Sequence, residues 1–498
     1  EIQKLKNNSN VDAMLLIGEP GDNGFEAVGK ILNGTVNPSG HLPDTYAADF
    51  TKDPTYNNVN LSGTSTGNPQ YTLNGEKIDS YFRDYDEGIY VGYRYYETAY
   101  AEHLNGHYAS FDYDSSVTYP FGYGLSYTNF QWDVVSSTAE GPVLTNDKIK
   151  VNVRVTNTGN VAGKDVVELY YHAPYTTGGI EKSDVVLGDF EKTQTLQPGA
   201  SQIVQLSLDV KDMASYDYKN AKTYVLDQGT YTISLRKDSH DVVSSSTDTP
   251  LNYNYTIAQK TLVNTSDSGT TITNQFDDVT AGASEHGVGT FTRSDFTGTG
   301  PAVPTASEYV LTQDQFKQLT TTVDADYDSG SKWETSEMPT YADAATRPST
   351  ASVKLADLIG KSYDNEKRNS LLDELTLDEM NDLITNGGFR TQSIDYIGKP
   401  YSLDTDGPKG WTGTGTTGTR FNAFAAEPVI ASTYNKELAY DMGQIVGDQG
   451  IWGCLDRTDT DAGGKIYGYT GWYAPGMNTH RSPFDSRYNE YFSEDPVL

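Results

Sequence analysis

The spacing of apolar residues changes along this chain, and each spacing predicts a different kind of element. Residues 11–32 begin with a short apolar run, continue through a Gly/Pro loop and place Phe25, Val28 and either Ile31 or Leu32 on one helical face. This pattern predicts one βα unit. Residues 84–127 are rich in Tyr and Gly, a composition typical of hairpins or loops that pack across the face of a domain.

A period of two begins near residue 149, where Ile149, Val151, Val153 and Val155 alternate with polar residues. The same alternation returns three times before residue 240, and turn signals separate the segments. They are "DVVELYY", "QIVQLSL" and "GTYTISL". Several short alternating strands in succession predict a β-sandwich of the immunoglobulin or fibronectin III type.

Strands and helices alternate in the last third of the chain. A capping box, Thr376 followed by Glu379, predicts a helix start, and Asn435 predicts another, with Leu438, Met442, Ile445 and Val446 on its apolar face. Strands are predicted in "PYSLDTDGP", "EPVIAST" and "GWYAPGMN". Such alternation indicates a parallel α/β barrel or doubly wound sheet, with chemistry at the carboxyl ends of the strands. Three strands cannot close an eight-stranded barrel, so we expect an incomplete domain.

The composition of the chain argues against several classes of binding partner. The chain has 36 Lys and Arg against 68 Asp and Glu, a net charge of −32, which argues against nucleic acid and anionic lipid as partners. No apolar run approaches the ~20 residues of a membrane helix. The single cysteine, Cys454, excludes an internal disulfide and a Cys-based metal cluster, and we expect it to be a core residue. We expect neither a metal ion nor a cofactor.

Two loops that follow predicted strands carry the candidate chemistry. In "DTDGPKGW", the turn after Asp406 can hold its carboxylate outward to accept two sugar hydroxyls, with Trp411 as a stacking face. The alternative is an Asx-turn aspartate that accepts a hydrogen bond from its own backbone.

The second loop is "HRSPFDSRYNEYFSED", residues 480–495. Arg481 and Arg487 can direct forked donors at sugar hydroxyls, and we expect nearby carboxylates to hold them in place. Those carboxylates are Glu490, Glu494 and Asp495. The alternative is a surface network of charge pairs.

Several motifs together resemble glycoside hydrolase family 3. "TDGPKG", "YAPGMNTHRSP" and "SRYNEYFSEDPVL" are similar to patterns of that family's barrel, and three earlier stretches look like its α/β-sandwich domain. These are "AVGKILNGTVNPSGHLPDTY", "EGIYVGYRYYET" and "YPFGYGLSYTNF". The resemblance covers nearly all of the chain except residues 259–350.

The resemblance implies three segments, and a composition rich in Thr, Ser, Gly and Asp predicts a fourth, connecting segment between two of them. They are the later part of an α/β-sandwich domain (1–130), a fibronectin III-like domain (131–258), a connecting region (259–350) and the N-terminal part of a barrel-like catalytic domain (351–498). The usual family order places the barrel first, so the chain resembles a circularly permuted branch. In this interpretation the nucleophilic aspartate and the acid/base glutamate lie outside the chain, which alone would lack hydrolytic activity. Activity in the chain alone would point to Asp404, Asp485 or Glu490 as replacement acids.

Residue by residue, the resemblance assigns Asp406 and Arg487 to the sugar at the cleavage subsite. Two departures from the family pattern leave the substrate open: Trp411 and Thr412 stand where many members carry Arg, and Ser486 replaces a glycine.

The expected function is that of a retaining exo-acting β-glycosidase, in particular a β-glucosidase that acts on a β-linked oligosaccharide or glycoside. A β-xylosidase or a glycoconjugate deglycosylase is the alternative within this class, and a catalytically silent carbohydrate-binding or cell-surface module is the alternative outside it. Homo-oligomerisation stays open. The polar, acidic composition favours a secreted or bacterial cell-surface location, and the low cysteine count also allows the cytoplasm.

Overall fold

The described part of the chain divides into two compact units. The computed structural model describes residues 2–56, 70–81, 87–139, 141–142, 148–274, 291–296, 310–320, 341–411, 422–452, 470–474, 476, 478–484 and 487–498. Unit 1 comprises Glu1–Val310, Ala425–Leu438 and Gly476–Leu498, and unit 2 comprises Leu311–Phe424 and Ala439–Pro475.

The helices and strands of the described residues are numbered here in chain order. The α-helices are α1 (Ile2–Lys6), α2 (Phe25–Leu32), α3 (Tyr93–Leu104), α4 (Tyr113–Ser116), α5 (Gln313–Thr320), α6 (Glu366–Leu372), α7 (Leu377–Thr385), α8 (Glu427–Ala431) and α9 (Lys436–Trp452). The strands are β1 (Tyr46–Ala47), β2 (Gln70–Leu73), β3 (Glu76–Tyr81), β4 (Val117–Tyr119), β5 (Phe130–Ser137), β6 (Gly141–Pro142), β7 (Lys148–Asn157), β8 (Val166–His172), β9 (Val186–Lys192), β10 (Ser201–Asp209), β11 (Ser215–Asp217), β12 (Thr223–Leu226), β13 (Gly229–Arg236), β14 (Asn252–Ile257), β15 (Thr261–Val263), β16 (Val310–Leu311), β17 (Arg390–Thr391), β18 (Ser402–Thr405) and β19 (Gly471–Trp472).

The predicted β-sandwich forms in unit 1. Its two main sheets have the strand orders β10-β7-β5 and β6-β14-β13-β8-β9. Strand β7 points alternate side chains inward, and its four apolar residues from Ile149 to Val155 are fully buried. They form one core with Leu169 of β8 and Ile233 of β13. Each buried aliphatic side chain contributes roughly 1.5–3 kcal/mol to the free energy of unfolding. The residues of the period-two pattern therefore also stabilise the sandwich.

Two predictions of strands or loops were wrong because the segments form helices. The Tyr-rich stretch after residue 84 contains α3, whose Tyr95, Tyr96 and Ala99 are buried in an aromatic core with Phe111. Burial of these rings outweighs the modest helix propensity of tyrosine. The stretch "EPVIAST" contains α8, where Pro428 occupies the first helical turn, a position that tolerates proline.

The predicted βα unit at residues 11–32 forms only in part. Helix α2 is present, but residues 11–20 carry no strand, and Leu15 and Leu16 are exposed. A strand is stable only when neighbouring strands supply hydrogen-bond partners, and no strand of the described residues pairs with this run.

Unit 2 contains a small mixed sheet with the order β17-β18-β19. Strands β18 and β19 are parallel, with Asp404 opposite Gly471 and Thr405 opposite Trp472, so the predicted strands in "PYSLDTDGP" and "GWYAPGMN" are present. The sheet brings the carboxyl ends of two strands that are far apart in the sequence to one edge. The complete barrel stays a prediction.

Helix α9 starts where the sequence predicts, because the Asn435 carboxamide accepts a hydrogen bond from the Leu438 backbone N–H. The predicted apolar face is buried only in part. Val446 is 3% exposed and packs with Trp411, whereas Leu438 and Ile445 remain 47% and 45% exposed.

Part of the predicted connecting region packs within unit 1. Within residues 291–296, Phe296 packs on Tyr90 with ring centroids 5.2 Å apart. Arg293 is 4% exposed, and its guanidinium donates to Glu102 on α3 at 2.7 Å and to Asp184 in the loop between β8 and β9 at 2.9 Å. This docked segment (291–296) therefore bridges helix α3 and the β-sandwich.

The capping box of α7 provides a test of local stability. The Thr376 hydroxyl accepts from the Glu379 backbone N–H at 3.2 Å, and the Glu379 carboxylate accepts from the Thr376 backbone N–H at 2.9 Å. We expect Thr376→Ala to lower the free energy of unfolding by about 1 kcal/mol, measured by urea denaturation. Thr385→Ala, at the exposed other end of α7, should cost less than about 0.5 kcal/mol. Equal losses in the two variants would contradict a capping role.

Candidate functional site

Asp406 lies immediately after the parallel strand β18, at the position that the sequence predicts. Its side chain is exposed, and its carboxylate accepts a hydrogen bond from the Gly407 backbone N–H at 2.8 Å. This bond goes to the backbone N–H of the next residue, whereas an Asx-turn uses the N–H group two residues on. Gly407 has a φ of 132°, which a residue with a Cβ rarely adopts, so the turn that exposes Asp406 requires glycine.

Two aromatic rings flank this strand end, and sequence reasoning missed both of them. The rings of Phe389 and Tyr473 stack with centroids 5.5 Å apart and are 51% and 50% exposed. Partial desolvation, followed by the charges of Asp406 and Asp404, raises the pKa of Tyr473, which indicates that its hydroxyl lies near these carboxylates. Tyr473 directly follows β19 and belongs to the stretch "GWYAPGMN" in which a strand is predicted, so its place at a strand end was the available signal.

The two nearby tryptophans support the loop. Trp411 is 8% exposed, and its indole N–H donates to the Val446 carbonyl at 2.7 Å. The indole N–H of Trp472 donates to the Gly407 carbonyl, also at 2.7 Å. Trp411 therefore packs in the core of unit 2, and its stacking role toward a sugar stays a prediction.

The candidate residues of the second loop lie in unit 1. Arg487 is on the surface, with its side chain 69% exposed, and donates to Glu490 at 2.5 Å. Arg481 is largely buried and pairs with Glu87. Glu490 thus contacts Arg487 as expected, and Glu87 is a partner that the loop sequence does not reveal.

Glu494 and Asp495 were expected to hold the arginines of this loop, but they bind the N-terminus of α3. The Glu494 carboxylate accepts from the backbone N–H of Tyr93 at 2.8 Å, and from the backbone N–H and hydroxyl of Thr45 at 2.9 and 2.7 Å. Asp495 accepts from the Tyr93 hydroxyl at 2.6 Å and from Arg94 at 2.8 Å. Carboxyl groups suit a helix N-terminus because their oxygens accept hydrogen bonds from N–H groups that have no partner within the helix.

The burial of Glu494 makes the stability of unit 1 depend on pH. Burial, followed by the charge of Asp44, raises the pKa of Glu494 from 4.5 to about 8. Since the folded-state pKa is raised, its contribution to stability is fully present below about pH 4.5 and is lost as the pH rises through about 8. We expect the thermal midpoint to fall between pH 5 and pH 9, and Glu494→Gln, which cannot ionise, to reduce this slope.

Glu490→Gln is the matched control, because Glu490 is a more exposed glutamate of the same segment. It should keep the wild-type slope. A Glu494→Gln variant whose thermal midpoint falls as steeply with pH as that of the wild type would contradict the assignment.

Four residues named from the sequence lie outside the described residues: Thr412, Cys454, Asp485 and Ser486. Asp406 belongs to unit 2 and Arg487 to unit 1. That the two face one sugar stays a prediction.

The described residues contain no group of three or more metal-ligating side chains. His103 and His107 have the i, i+4 spacing of some zinc ligands, a pair that sequence reasoning overlooked. His103 contacts the Tyr108 carbonyl at 3.1 Å and His107 contacts Glu102 at 2.6 Å. Among the helices of the described part, none is long and apolar enough to cross a bilayer.

Two family models match the chain. Residues 1–93 match the C-terminal domain of glycosyl hydrolase family 3, and residues 165–239 match a fibronectin type III-like domain. These matches confirm the resemblance to glycoside hydrolase family 3 and the expected combination of an α/β domain with a fibronectin III-like sandwich.

The similar proteins found with them are β-glucosidases. Beta-glucosidase A of Butyrivibrio fibrisolvens is 30% identical over 99% of this chain and 54% of its own length. A β-glucosidase of Ruminococcus albus is 28% identical over 98% of this chain and 43% of its own. The structure of a β-glucosidase from Paenibacillus barengoltzii superposes with a TM-score of 0.58 at 25% identity, over 96% of this chain and 44% of that one. The chain thus spans about half the length of the relatives that it matches.

Proposed function

We propose that the protein containing this chain, a relative of the family 3 glycoside hydrolases, is a retaining exo-acting β-glucosidase. It would hydrolyse terminal non-reducing β-D-glucosyl residues. In the retaining mechanism one carboxylate attacks the anomeric carbon while a second protonates the leaving oxygen, and water then hydrolyses the glycosyl intermediate. We assign Asp406 and Arg487 to substrate binding, and we assign neither catalytic carboxylate among the described residues.

The observation that carries the proposal is the strand end in unit 2. An exposed carboxylate, Asp406, lies near the half-exposed aromatic stack of Phe389 and Tyr473. A carboxylate accepts hydrogen bonds from sugar hydroxyls, while an aromatic face packs on the apolar C–H face of the ring. This combination suits a glucosyl unit better than it suits an anion, because the net charge of −32 repels anions.

Arg487 supplies the complementary donor in this proposal. Its exposed guanidinium has a fixed fork of N–H groups, and Glu490 restrains it from one side at 2.5 Å. An arginine held in this way can donate to a sugar hydroxyl, the role that the family resemblance gives it.

The test is an assay of the full-length protein with p-nitrophenyl β-D-glucoside and p-nitrophenyl β-D-xyloside. We expect hydrolysis with preference for the glucoside, and proton NMR should show β-glucose as the first product, since retention preserves the anomeric configuration. Preference for the xyloside would point to a β-xylosidase. Sugar binding without hydrolysis of either compound would overturn the proposal in favour of a silent carbohydrate-binding module.

A further inference from the structure

Asp44 lies just before β1 and is fully buried. Its carboxylate contacts Nε2 of His480, which is 3% exposed. The hydroxyl of Tyr488 also lies close, because the charge of Asp44 is the second cause, after burial, of the raised pKa of Tyr488. One carboxylate from the beginning of the chain therefore contacts His480 and lies close to Tyr488.

The two residues near Asp44 flank the two arginines of the candidate site. His480 directly precedes Arg481, and Tyr488 directly follows Arg487. The ring centroids of His480 and Tyr488 lie 5.0 Å apart. Asp44 thus lies where the two ends of the segment 480–488 come together.

The orientation of the His480 ring depends on this contact. Its other nitrogen, Nδ1, is buried and has no hydrogen-bond partner among the described residues. A ring that is bonded at one nitrogen takes its tautomer and its tilt from that single partner. The residues on either side of Asp44 contact residues 493 and 494 instead of His480. The Pro43 carbonyl accepts from the Ser493 hydroxyl at 2.8 Å, and the Thr45 backbone N–H donates to Glu494.

We propose that Asp44 is a positioning residue, which fixes His480 and Tyr488 and thereby the direction in which Arg487 presents its guanidinium to the sugar. The proposal rests on the proposed function, in which Arg487 binds the glucosyl unit. Asp44 itself does not touch the substrate. It acts through the backbone, in the manner of the partners that orient metal ligands or catalytic groups and whose loss typically costs 10–100-fold.

A double-mutant cycle on the full-length protein tests this role. We expect Asp44→Asn, which keeps the shape but removes the charge, to lower kcat/KM about tenfold. In an Arg487→Ala background the same change should have little further effect, because there is no guanidinium left to position. Tyr488→Phe, which removes only the hydroxyl near Asp44, should show a smaller loss with the same dependence on Arg487. If Asp44→Asn does not fold, the double-mutant cycle of Tyr488→Phe with Arg487→Ala still tests the proposal.

Thr45→Ala is the matched control. Thr45 is the buried neighbour of Asp44, but its hydroxyl binds Glu494, so any loss that Thr45→Ala causes should be the same with Arg487 or Ala at position 487. Losses from Asp44→Asn and Arg487→Ala that simply multiply would overturn the proposal, since a purely structural role gives that result.

Hydrogen exchange in the 498-residue chain provides a readout that does not depend on activity. The backbone N–H groups of His480 and Glu490 are hydrogen-bonded at 3.1 and 3.0 Å. We expect Asp44→Asn to accelerate their exchange at least tenfold more than Thr45→Ala does. Unchanged exchange would overturn the positioning role, whereas faster exchange together with a full-length wild type that hydrolyses no β-glucoside would overturn only the proposed function.

Discussion

Replacing Asp406 by alanine in the full-length protein is expected to lower kcat/KM for a β-glucoside by roughly 10²-fold or more, with the fold intact. A hydrogen bond from a sugar hydroxyl to a charged group contributes about 1.5–3 kcal/mol, and two such bonds account for a loss of this size at about 1.4 kcal/mol per tenfold. Only bonds that strengthen in the transition state lower kcat as well. The side chain is exposed, so truncation leaves no cavity.

Two further variants sharpen this prediction. Arg487→Ala should reduce kcat/KM somewhat less than Asp406→Ala. Asp364→Ala removes another exposed aspartate of unit 2 and should change kcat/KM less than twofold. Steady-state kinetics with p-nitrophenyl β-D-glucoside measure all three. Near-wild-type kcat/KM in either Asp406→Ala or Arg487→Ala would remove that residue from the site.

Arg293→Ala is expected to lower the free energy of unfolding of unit 1 by about 3–5 kcal/mol, the typical cost of removing one partner of a buried ion pair. The variant removes the arginine that pairs with Glu102, whose side chain is 3% exposed, and leaves it only the exposed His107 as an ion-pair partner among the described residues. The same change removes the arginine that pairs with Asp184. It also removes the guanidinium that lies 4.6 Å from the ring centroid of Tyr175. Urea denaturation measures the loss, and hydrogen exchange in α3 and β9 locates it.

Lys30→Ala is the control for Arg293→Ala. It breaks an exposed pair with Glu26, a type worth about 0–1 kcal/mol. If Arg293→Ala cost no more than Lys30→Ala, the docked segment would contribute no stability and the bridge between α3 and the β-sandwich would have no energetic role.

The elements that could be predicted from the sequence are those whose signal is local. The alternation from Ile149 to Val155 is itself the burial pattern of β7. The capping box of α7 needs two residues that lie three positions apart, and both of its hydrogen bonds form. In each case the residues that carry the pattern also make the contacts that stabilise the element.

Helix α3 could not be predicted in the same way, because its causes lie far along the chain. Its tyrosines favour strand on propensity, and the helix is stabilised by a core that includes Phe296 of the docked segment. Its first N–H group is bonded by Glu494. None of these partners is visible within a window of twenty residues.

The same difference between local and distant causes applies to the residues of the candidate site. The position of Asp406 follows from a strand and a Gly-Pro turn, and it was predicted. Whether a nearby ring is buried like Trp411 or half-exposed like Tyr473 depends on the packing of α9 and β19. The partners of Glu494 and His480 lie more than 400 residues away, so the loop sequence alone could not reveal them.

The bond between Glu494 and the start of α3 also has a consequence for biosynthesis. Glu494 lies 401 residues after Tyr93, and at roughly 5–20 residues per second a ribosome needs on the order of 20–80 s to make the intervening chain. During that interval α3 has been synthesised without the carboxylate that satisfies its first N–H group, while the strands of the β-sandwich, which pair within a much shorter stretch, can already fold. We therefore expect the sandwich to mature early on the nascent chain and the tyrosine-rich part of unit 1 to remain open to chaperones until the last residues of this segment have been made.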